Sequence, residues 1–306
     1  VSTVLYPIVS SRDGVRITVN DLIKTPKAIP RRILEIAKNQ FVADSVLRNA
    51  GQNDSGVVEF RESTPLFANQ GASIRTEFGE YQVVTTSDGI PSVVSVVDRG
   101  LSLIISDEMR RRNKIDRVNQ QIVQITNTMR RDWDSAFMAL FLNNASVPTF
   151  AVSTPWSTST VIRNDILKGQ KLVNNAVTGA QAQNFLEFQA DTMVITETSK
   201  FDILQSAAFQ NIYQGNLADK NLQYTGLLPQ KILNLDVLVV KSGGALPDGT
   251  ALIMERGTVG FISDEERLQS TPLYFKQENR SWRSDTNRAS AMGLDQPLAA
   301  VILTGV

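Results

Sequence analysis

The side chains of this sequence that could do chemistry are carboxylates, lysines and hydroxyls, and none is grouped as catalysis would require. Asp132 and Asp134 stand two positions apart in a stretch of helical periodicity, a spacing that turns them toward different faces rather than onto one substrate. Asp264-Glu265-Glu266 is the other acidic cluster and reads as a solvated loop or as the first turn of a helix, where negative charge meets the helix dipole. Gly169-Gln170-Lys171 lacks the upstream glycine, and the Ser or Thr after the lysine, that a phosphate-cradling loop needs. Gly243-Gly244, following Ser242, marks a turn rather than a dinucleotide fingerprint. The run Arg110-Arg111-Arg112-Asn113-Lys114 would fan around a helix instead of forming one patch. It reads as solvated charge, with a phosphate or an acidic surface of another subunit as the sharper alternative. The sequence therefore nominates no catalytic residue, no cofactor and no metal site.

Composition narrows the classes further. The chain has 306 residues, 31 Lys+Arg against 31 Asp+Glu, no cysteine and no histidine. Thiolate nucleophiles, disulfides and Cys-ligated metals are excluded, as are imidazole bases and His-ligated metals. With 42% hydrophobic and 20% charged residues the chain is globular and long enough for one large or two ordinary domains. Zero net charge argues against a protein devoted to gripping nucleic acid. The opening VSTVLYPIVSSRDGVR has neither a basic n-region nor a long apolar core, so no signal peptide is expected. No run of about 20 apolar residues could span a bilayer, and a cytosol-like compartment is expected. Val1 in place of Met fits either initiator removal or proteolytic maturation.

The elements that would carry these side chains fall into blocks. Pro7, Pro26 and Pro30 break the first 50 residues, and a helix is predicted from Pro30 to about Asn49-Ala50-Gly51. This segment carries a net charge of +4, leaving −4 on the remainder. It is either a solvated surface segment or an arm facing polyanion. Residues 56–62 and 77–84 alternate as strands, with a loop from Ser63 to Thr76 between them. Such a hairpin is marginal alone, and no neighbouring stretch supplies a surface for it, which points to another subunit.

The strongest periodicity runs from Ser106, a good N-cap followed by Asp107 and Glu108, through Ile115, Val118, Ile122, Ile125, Met129, Trp133, Phe137 and Leu140. A single helix of about 38 residues would be roughly 57 Å long, lying across a sheet. The steps drift toward 3.6 rather than 3.5, against a coiled coil. Beyond Pro148, helix candidates at 164–176 and 198–210 alternate with strand candidates at 192–196, 231–241 and 250–254, an α/β or α+β texture. Strands return at 273–278, 281–287 and 298–304.

This order of parts, with the local pieces Ile104-Ile105-Ser106-Asp107-Glu108-Met109, Arg131-Asp132-Trp133-Asp134-Ser135-Ala136-Phe137 and the close from Arg280-Ser281-Trp282 to Ile302-Leu303, resembles the major capsid proteins of tailed bacteriophages. The resemblance implies an α+β, Hong Kong phage-type capsid fold. It would place an N-arm at 1–50, an extended E-loop at 51–90, and a peripheral domain at 91–144 and 258–292 with a spine helix at 106–143. An axial α/β domain would take 145–257 and 293–306. It implies a structural subunit, not an enzyme, that self-assembles into hexamers and pentamers of an icosahedral shell enclosing double-stranded DNA, in the virion capsid, after assembly in the bacterial host cytoplasm. The implied partners are copies of itself, a portal at one vertex, a scaffolding protein, weakly contacted packaged DNA and a decoration protein, with no membrane.

On the E-loop, inter-subunit contacts are expected from the aromatics Phe60, Phe67, Phe78 and Tyr81 and from the polar residues Arg61, Asn69, Gln70 and Arg75. Arg12, Arg16, Lys24, Lys27, Arg31 and Arg32 would form a lumen-facing basic arm. Some relatives lock the shell through a Lys–Asn isopeptide bond with a lysine on this loop. Here no lysine lies between Lys38 and Lys114, so a non-covalent shell is expected. The alternatives are an encapsulin-type nanocompartment shell and, in another class, a cytosolic α/β enzyme acting through Lys or Asp/Glu.

Overall fold

The helical periodicity that runs unbroken from Ser106 in the sequence is interrupted in the structure, a computed structural model. Instead of one helix over 106–143 there is a short α4, Asp107–Arg111, and a 28-residue α5, Ile115–Leu142. The break is at Asn113, whose φ of 46° is left-handed, a conformation asparagine tolerates better than most residues. Its side chain is also occupied, since Oδ1 accepts the Val19 amide at 2.8 Å. Apolar spacing continues across the junction and so conceals it. The residues described are 19–37, 41–63, 71–84, 88–159, 161–177, 186–206, 230–241 and 245–306.

The chain divides into two compact units. The first comprises residues 1–58, 94–139 and 262–292. Its described N-terminal part forms α1 (Val19–Lys24), α2 (Ala28–Ala37) and α3 (Val42–Val46), followed by strand β1 (Arg48–Gln52). The expected single helix from Pro30 to residues 49–51 is thus corrected. Helical residues end at Val46, and Leu47 turns to an extended conformation with ψ 148°. Nor is the segment a free arm throughout. Val19, Ile29 and Ile33 are fully buried in a core with Leu103, Ile105, Val118, Ile122 and Leu273. Each large apolar side chain so buried contributes about 1.5–3 kcal/mol.

The unit's sheet is antiparallel where its register is resolved. Strand β4 (Val97–Ser106) pairs along its length with β12 (Ser281–Gly293), from Ser106↔Ser281 to Val97↔Ser290, and the sheet continues through β10 (Phe261–Ser270) to β1, and through β11 (Tyr274–Lys276). Asp264-Glu265-Glu266 therefore lies within strand β10, not in a loop or a first helical turn. Helix α5 buries Val118, Ile122, Met129, Trp133 and Phe137, the stripe its periodicity predicts.

The second unit comprises residues 59–93, 140–261 and 293–306. Its six-stranded mixed sheet runs β5 (Thr149–Ala151), β13 (Ala300–Thr304), β9 (Thr250–Met254), β6 (Thr192–Thr196), β8 (Leu235–Val240) and β7 (Lys231–Ile232). The five residues of β6 are all buried, as a strand covered on both faces requires. The predicted single strand at 231–241 is instead a hairpin. Leu233 and Asn234 have φ of 50° and 67°, the two left-handed positions of a tight two-residue turn. Helix α6 (Ile162–Asn174) lies on this sheet, and Gly169 lets it approach, because a Cβ there would stand 2.7 Å from Ile253 Cδ1. That packing, not phosphate binding, accounts for the glycine. Helix α7 (Glu197–Gln205) starts directly after β6, with Thr196 Oγ1 accepting the Ser199 amide. The predicted helix over 198–210 thus ends by Gln205, and 207–210 lie outside the described residues, as do Gly243 and Gly244.

Strands β2 (Val57–Glu62) and β3 (Ile90–Ser95) form a separate two-stranded hairpin. The predicted return strand at 77–84 is not one. Residues 77–84 carry no strand, and the partner of β2 lies further along the chain. Alternation alone cannot make a strand where no edge is present to pair with it. Among the described residues no helix is long and apolar enough to cross a membrane.

Candidate assembly interface

The hairpin is anchored at its root and bare beyond it. Phe60 on β2 is half-buried and packs edge-on against Phe261, with ring centroids 5.1 Å apart. Gly293 lies beneath this pair, where a Cβ would come within 2.9 Å of the Phe261 ring. The Ser63 amide donates to the Asp295 carbonyl at 2.8 Å. Phe60 is therefore held by its own chain. Arg61 reaches across to Asp88 at 3.5 Å, tying the two limbs together at an exposed position, where such a pair contributes little.

Beyond the root the loop carries its apolar residues outward. Ile74 is 98% exposed, Phe78 97%, Val83 89% and Tyr81 73%. Several large apolar side chains left exposed on one short segment are a feature of interaction sites. The Arg75 guanidinium lies 4.9 Å from the Tyr81 ring, a cation–π contact. Of the loop residues nominated from sequence, Arg61, Arg75, Phe78 and Tyr81 are exposed, whereas Phe67, Asn69 and Gln70 lie outside the described residues. Ile74 and Val83 were not nominated, because isolated aliphatic residues give no sequence signal of exposure.

In the basic segment, Lys24, Lys27, Arg31 and Arg32 are exposed, and Arg31 pairs with Glu35 at 3.1 Å. Arg12 and Arg16 lie outside the described residues. At the α4 turn, Asp107 accepts from Arg110 and Arg111, each at 2.8 Å. Burial works against its charge, but the Arg110 hydrogen bond and the two guanidinium charges prevail and hold the carboxyl below its usual range. Three of the consecutive basic residues thus serve locally, since Arg112 pairs with Glu108 at 3.7 Å.

The polar centre of the first unit was not legible in sequence. Arg288, on β12, is buried and donates to Asp44 at 2.8 and 3.0 Å and to Asp264 at 3.0 and 3.2 Å. Its guanidinium lies 5.3 Å from the ring centroids of both Phe41 and Trp133. Burial disfavours the charge, but the Asp44 and Asp264 hydrogen bonds outweigh it and keep the guanidinium firmly protonated. Close by, buried Asp134 accepts the Val42 amide at 3.0 Å. Burial pushes its carboxyl up to about 6, against the Val42 bond and the Arg130 charge, with Asp44 adding repulsion. Asp134 is thus the carboxylate of the Asp132/Asp134 pair with a structural task, while Asp132 is exposed. Among the described residues no group of three metal-ligating side chains converges.

Among the described residues, the buried polar cluster of the first unit ties its own elements together, and the loop at 71–84 carries Ile74, Phe78, Tyr81 and Val83 exposed, features of a subunit that meets other chains. Residues 89–301, well over half of the chain, match the family model of the phage capsid protein. The chain belongs to the phage capsid protein family, and is a structural, non-enzymatic component of a virion shell. No curated protein matches it in sequence. Among solved structures, a chain of Microbacterium phage Oxtober96 superimposes with a TM-score of 0.64 at 13% identity, covering 86% of this chain and 90% of that one. The capsid structure of cyanophage P-SCSP1u gives 0.58 at 12% identity, covering 86% of each chain. The virus-like particle from Pyrococcus furiosus gives 0.60 at 9% identity, covering 92% of this chain and 99% of that one. These similarities show the fold, the α+β Hong Kong phage-type capsid fold.

Proposed function

We propose that this subunit assembles into hexamers and pentamers of an icosahedral shell that encloses double-stranded DNA, with the loop between β2 and β3 covering a second copy. The observation that carries this reading is the exposure of Ile74, Phe78, Tyr81 and Val83, an apolar display with no function in a monomer. In this assignment 1–50 is the N-arm, 51–90 the E-loop, 91–144 with 258–292 the peripheral domain, and 145–257 with 293–306 the axial domain. The division into two compact units supports it, with the arm joining the first unit. The exposed Lys24, Lys27, Arg31 and Arg32 would face the lumen and make weak, salt-dependent contacts with packaged DNA. A portal at one vertex, a scaffolding protein during assembly in the host cytoplasm and a decoration protein complete the partners.

The nanocompartment alternative predicts protein cargo, and the phage capsid family match weighs against it. Light scattering with negative-stain imaging of the purified chain tests the reading. Megadalton closed shells are expected, with amides of 71–84 slowed in hydrogen exchange on assembly. A small discrete oligomer, or unchanged exchange in that segment, would remove it.

A further inference from the structure

A groove of about 550 Å³ lies between helix α2 and the link from β10 to β11, all within the first unit. Pro30 and Leu34 line it from the helix, Ser270 and Pro272 from the link, and Lys27, Arg31 and Glu35 complete the wall. Lys27, Arg31, Glu35 and Ser270 are polar, yet the surface offered to the groove is mostly apolar. The long side chains therefore lay their carbon stems along it and keep their charges at the rim. Nor does the Ser270 hydroxyl call for a ligand, because it is bonded to Ser284 at 3.2 Å and to Thr286 at 2.9 Å. The two walls are pinned to each other. Ile29 and Ile33 of α2 share a buried core with Leu273, and the Leu273 amide donates to the Pro26 carbonyl at 3.1 Å.

The rim is basic. From Lys24 to Ala37 the exposed charged side chains are Lys24, Lys27, Arg31 and Arg32 against Glu35 alone, and Glu35 is already paired with Arg31 at 3.1 Å. Lys27, Arg31 and Leu34 follow at steps of four and three, so cations and apolar lining share one side of the helix. Phosphate oxygens would use the cations and leave the lining wet. A peptide that carries carboxylates beside apolar side chains uses both. Helix α2 has 10 residues, about 15 Å, which sets the footprint at roughly three turns of a partner helix.

We propose that this groove docks an acidic amphipathic helix of a partner protein, which seats leucine-sized side chains against Pro30, Leu34 and Pro272 while its carboxylates meet Lys27 and Arg31 and the neighbouring Lys24 and Arg32. The apolar anchors set the register, as in other helix-in-groove contacts, and the charges select the partner and speed its encounter. Glu35 holds the affinity in check, because its carboxylate repels an acidic partner and takes up part of the Arg31 guanidinium. The site uses neither the loop at 71–84 nor DNA.

Fluorescence anisotropy of the full-length unassembled chain with a labelled peptide of repeating Glu-Glu-Leu-Leu, at about 0.15 M salt, tests the proposal. The peptide is expected to bind at least about tenfold more tightly than its analogue with Ala for every Leu, which keeps the charge and the helix. Lys27→Glu/Arg31→Glu and Leu34→Gln should each weaken binding at least about tenfold, with the circular dichroism of the chain unchanged. Glu35→Gln should tighten binding about threefold, a gain that misfolding cannot produce. Short duplex DNA at equal concentration should not displace the peptide. Equal binding of the two peptides, or displacement by the duplex, would reduce the groove to a polyanion patch and overturn the proposal. Peptide binding that falls as the concentration of the chain itself rises would make a second copy the occupant and overturn it equally. No binding to the parent chain, or no gain in Glu35→Gln, would also overturn it.

Discussion

Asp44 and Arg288, separated by 244 positions in the chain, meet in a two-pronged ion pair at 2.8 and 3.0 Å. The contact ties the N-terminal segment to the sheet, because Asp44 belongs to α3 and Arg288 to β12, and Asp264 on β10 grips the same guanidinium. The Phe41 and Trp133 rings complete the enclosure. Cohesion in the first unit therefore depends on one buried cation with several partners.

Removal of the cation is expected to be the most damaging change in this cluster. Arg288→Ala leaves Asp264, whose side chain is only 14% exposed, charged and unpaired. A loss of about 3–5 kcal/mol follows for breaking a buried pair from one side. Asp44 is 38% exposed, so Asp44→Asn is expected to cost only about 1 kcal/mol after solvent screening. Urea denaturation of the unassembled chain ranks the two, and equal losses would contradict this assignment.

Asp134 gives the unit a pH dependence of defined sign. Its folded carboxyl titrates at about 6 against an ordinary value of 3.8, so the folded state binds its proton more tightly than the unfolded state. Stability is therefore fully present below the unfolded value and declines as pH rises through about 6. Asp134→Asn keeps an oxygen for the Val42 amide and removes the buried charge. The variant is expected to be more stable than the parent at pH 8, by at most about 3 kcal/mol, and to show no gain at pH 4. Thermal melts across that range measure the difference, and a parent that loses stability steadily from pH 6 to pH 4 through this residue would be the opposite sign.

Asn113 should separate two contributions. Asn113→Gly keeps the left-handed backbone and loses the bond to the Val19 amide, at a cost of about 1 kcal/mol. Asn113→Ala loses the bond and also strains the φ of 46°, so it should cost about 1 kcal/mol more. Denaturation midpoints of the two variants check the order.

How much of this was legible varied with the physics behind each element. Strands β6, β9 and β13 were read correctly because fully buried strands are continuous apolar runs. Helix α5 was read from its stripe, but its start was not. Ile115 and Met109 continue the apolar spacing, whereas the break is a backbone dihedral at Asn113, which periodicity does not register. Helices α1 and α3 have 6 and 5 residues, too short to show a repeat, so the burial of Val19 gave no signal. The Arg288 cluster joins residues 41, 44, 133, 264 and 288, and nothing local links them. On the loop, the prediction that no neighbouring stretch supports the hairpin is corrected at its root, where Phe60 packs on Phe261 of the same chain, and Val83 stands in solvent rather than in a paired strand.

Covalent cross-linking of the shell is expected to be absent. Between Lys38 and Lys114 there is no lysine to supply an amine to an asparagine. Assembled shells boiled in detergent should run as a single band near 33.7 kDa. A ladder of reducing-agent-resistant multimers would show another chemistry at work.

The exposed loop should separate assembly from stability. Phe78 is 97% exposed, so its side chain has almost no folded neighbours to lose, and Phe78→Asp should change the stability of the unassembled chain by less than about 0.5 kcal/mol. In an interface the same residue would be desolvated, and a carboxylate placed there would have to be buried without a partner, at several kcal/mol per copy. Because every subunit repeats the contact, a modest loss at each becomes failure of the whole shell. Phe60→Asp is the informative contrast. Phe60 packs on Phe261 within its own chain, so this change should lower the melting temperature of the unassembled chain itself. Size-exclusion chromatography and thermal denaturation on the two variants distinguish the cases. Shells that form normally from Phe78→Asp would show that the projecting aromatic is not part of the contact.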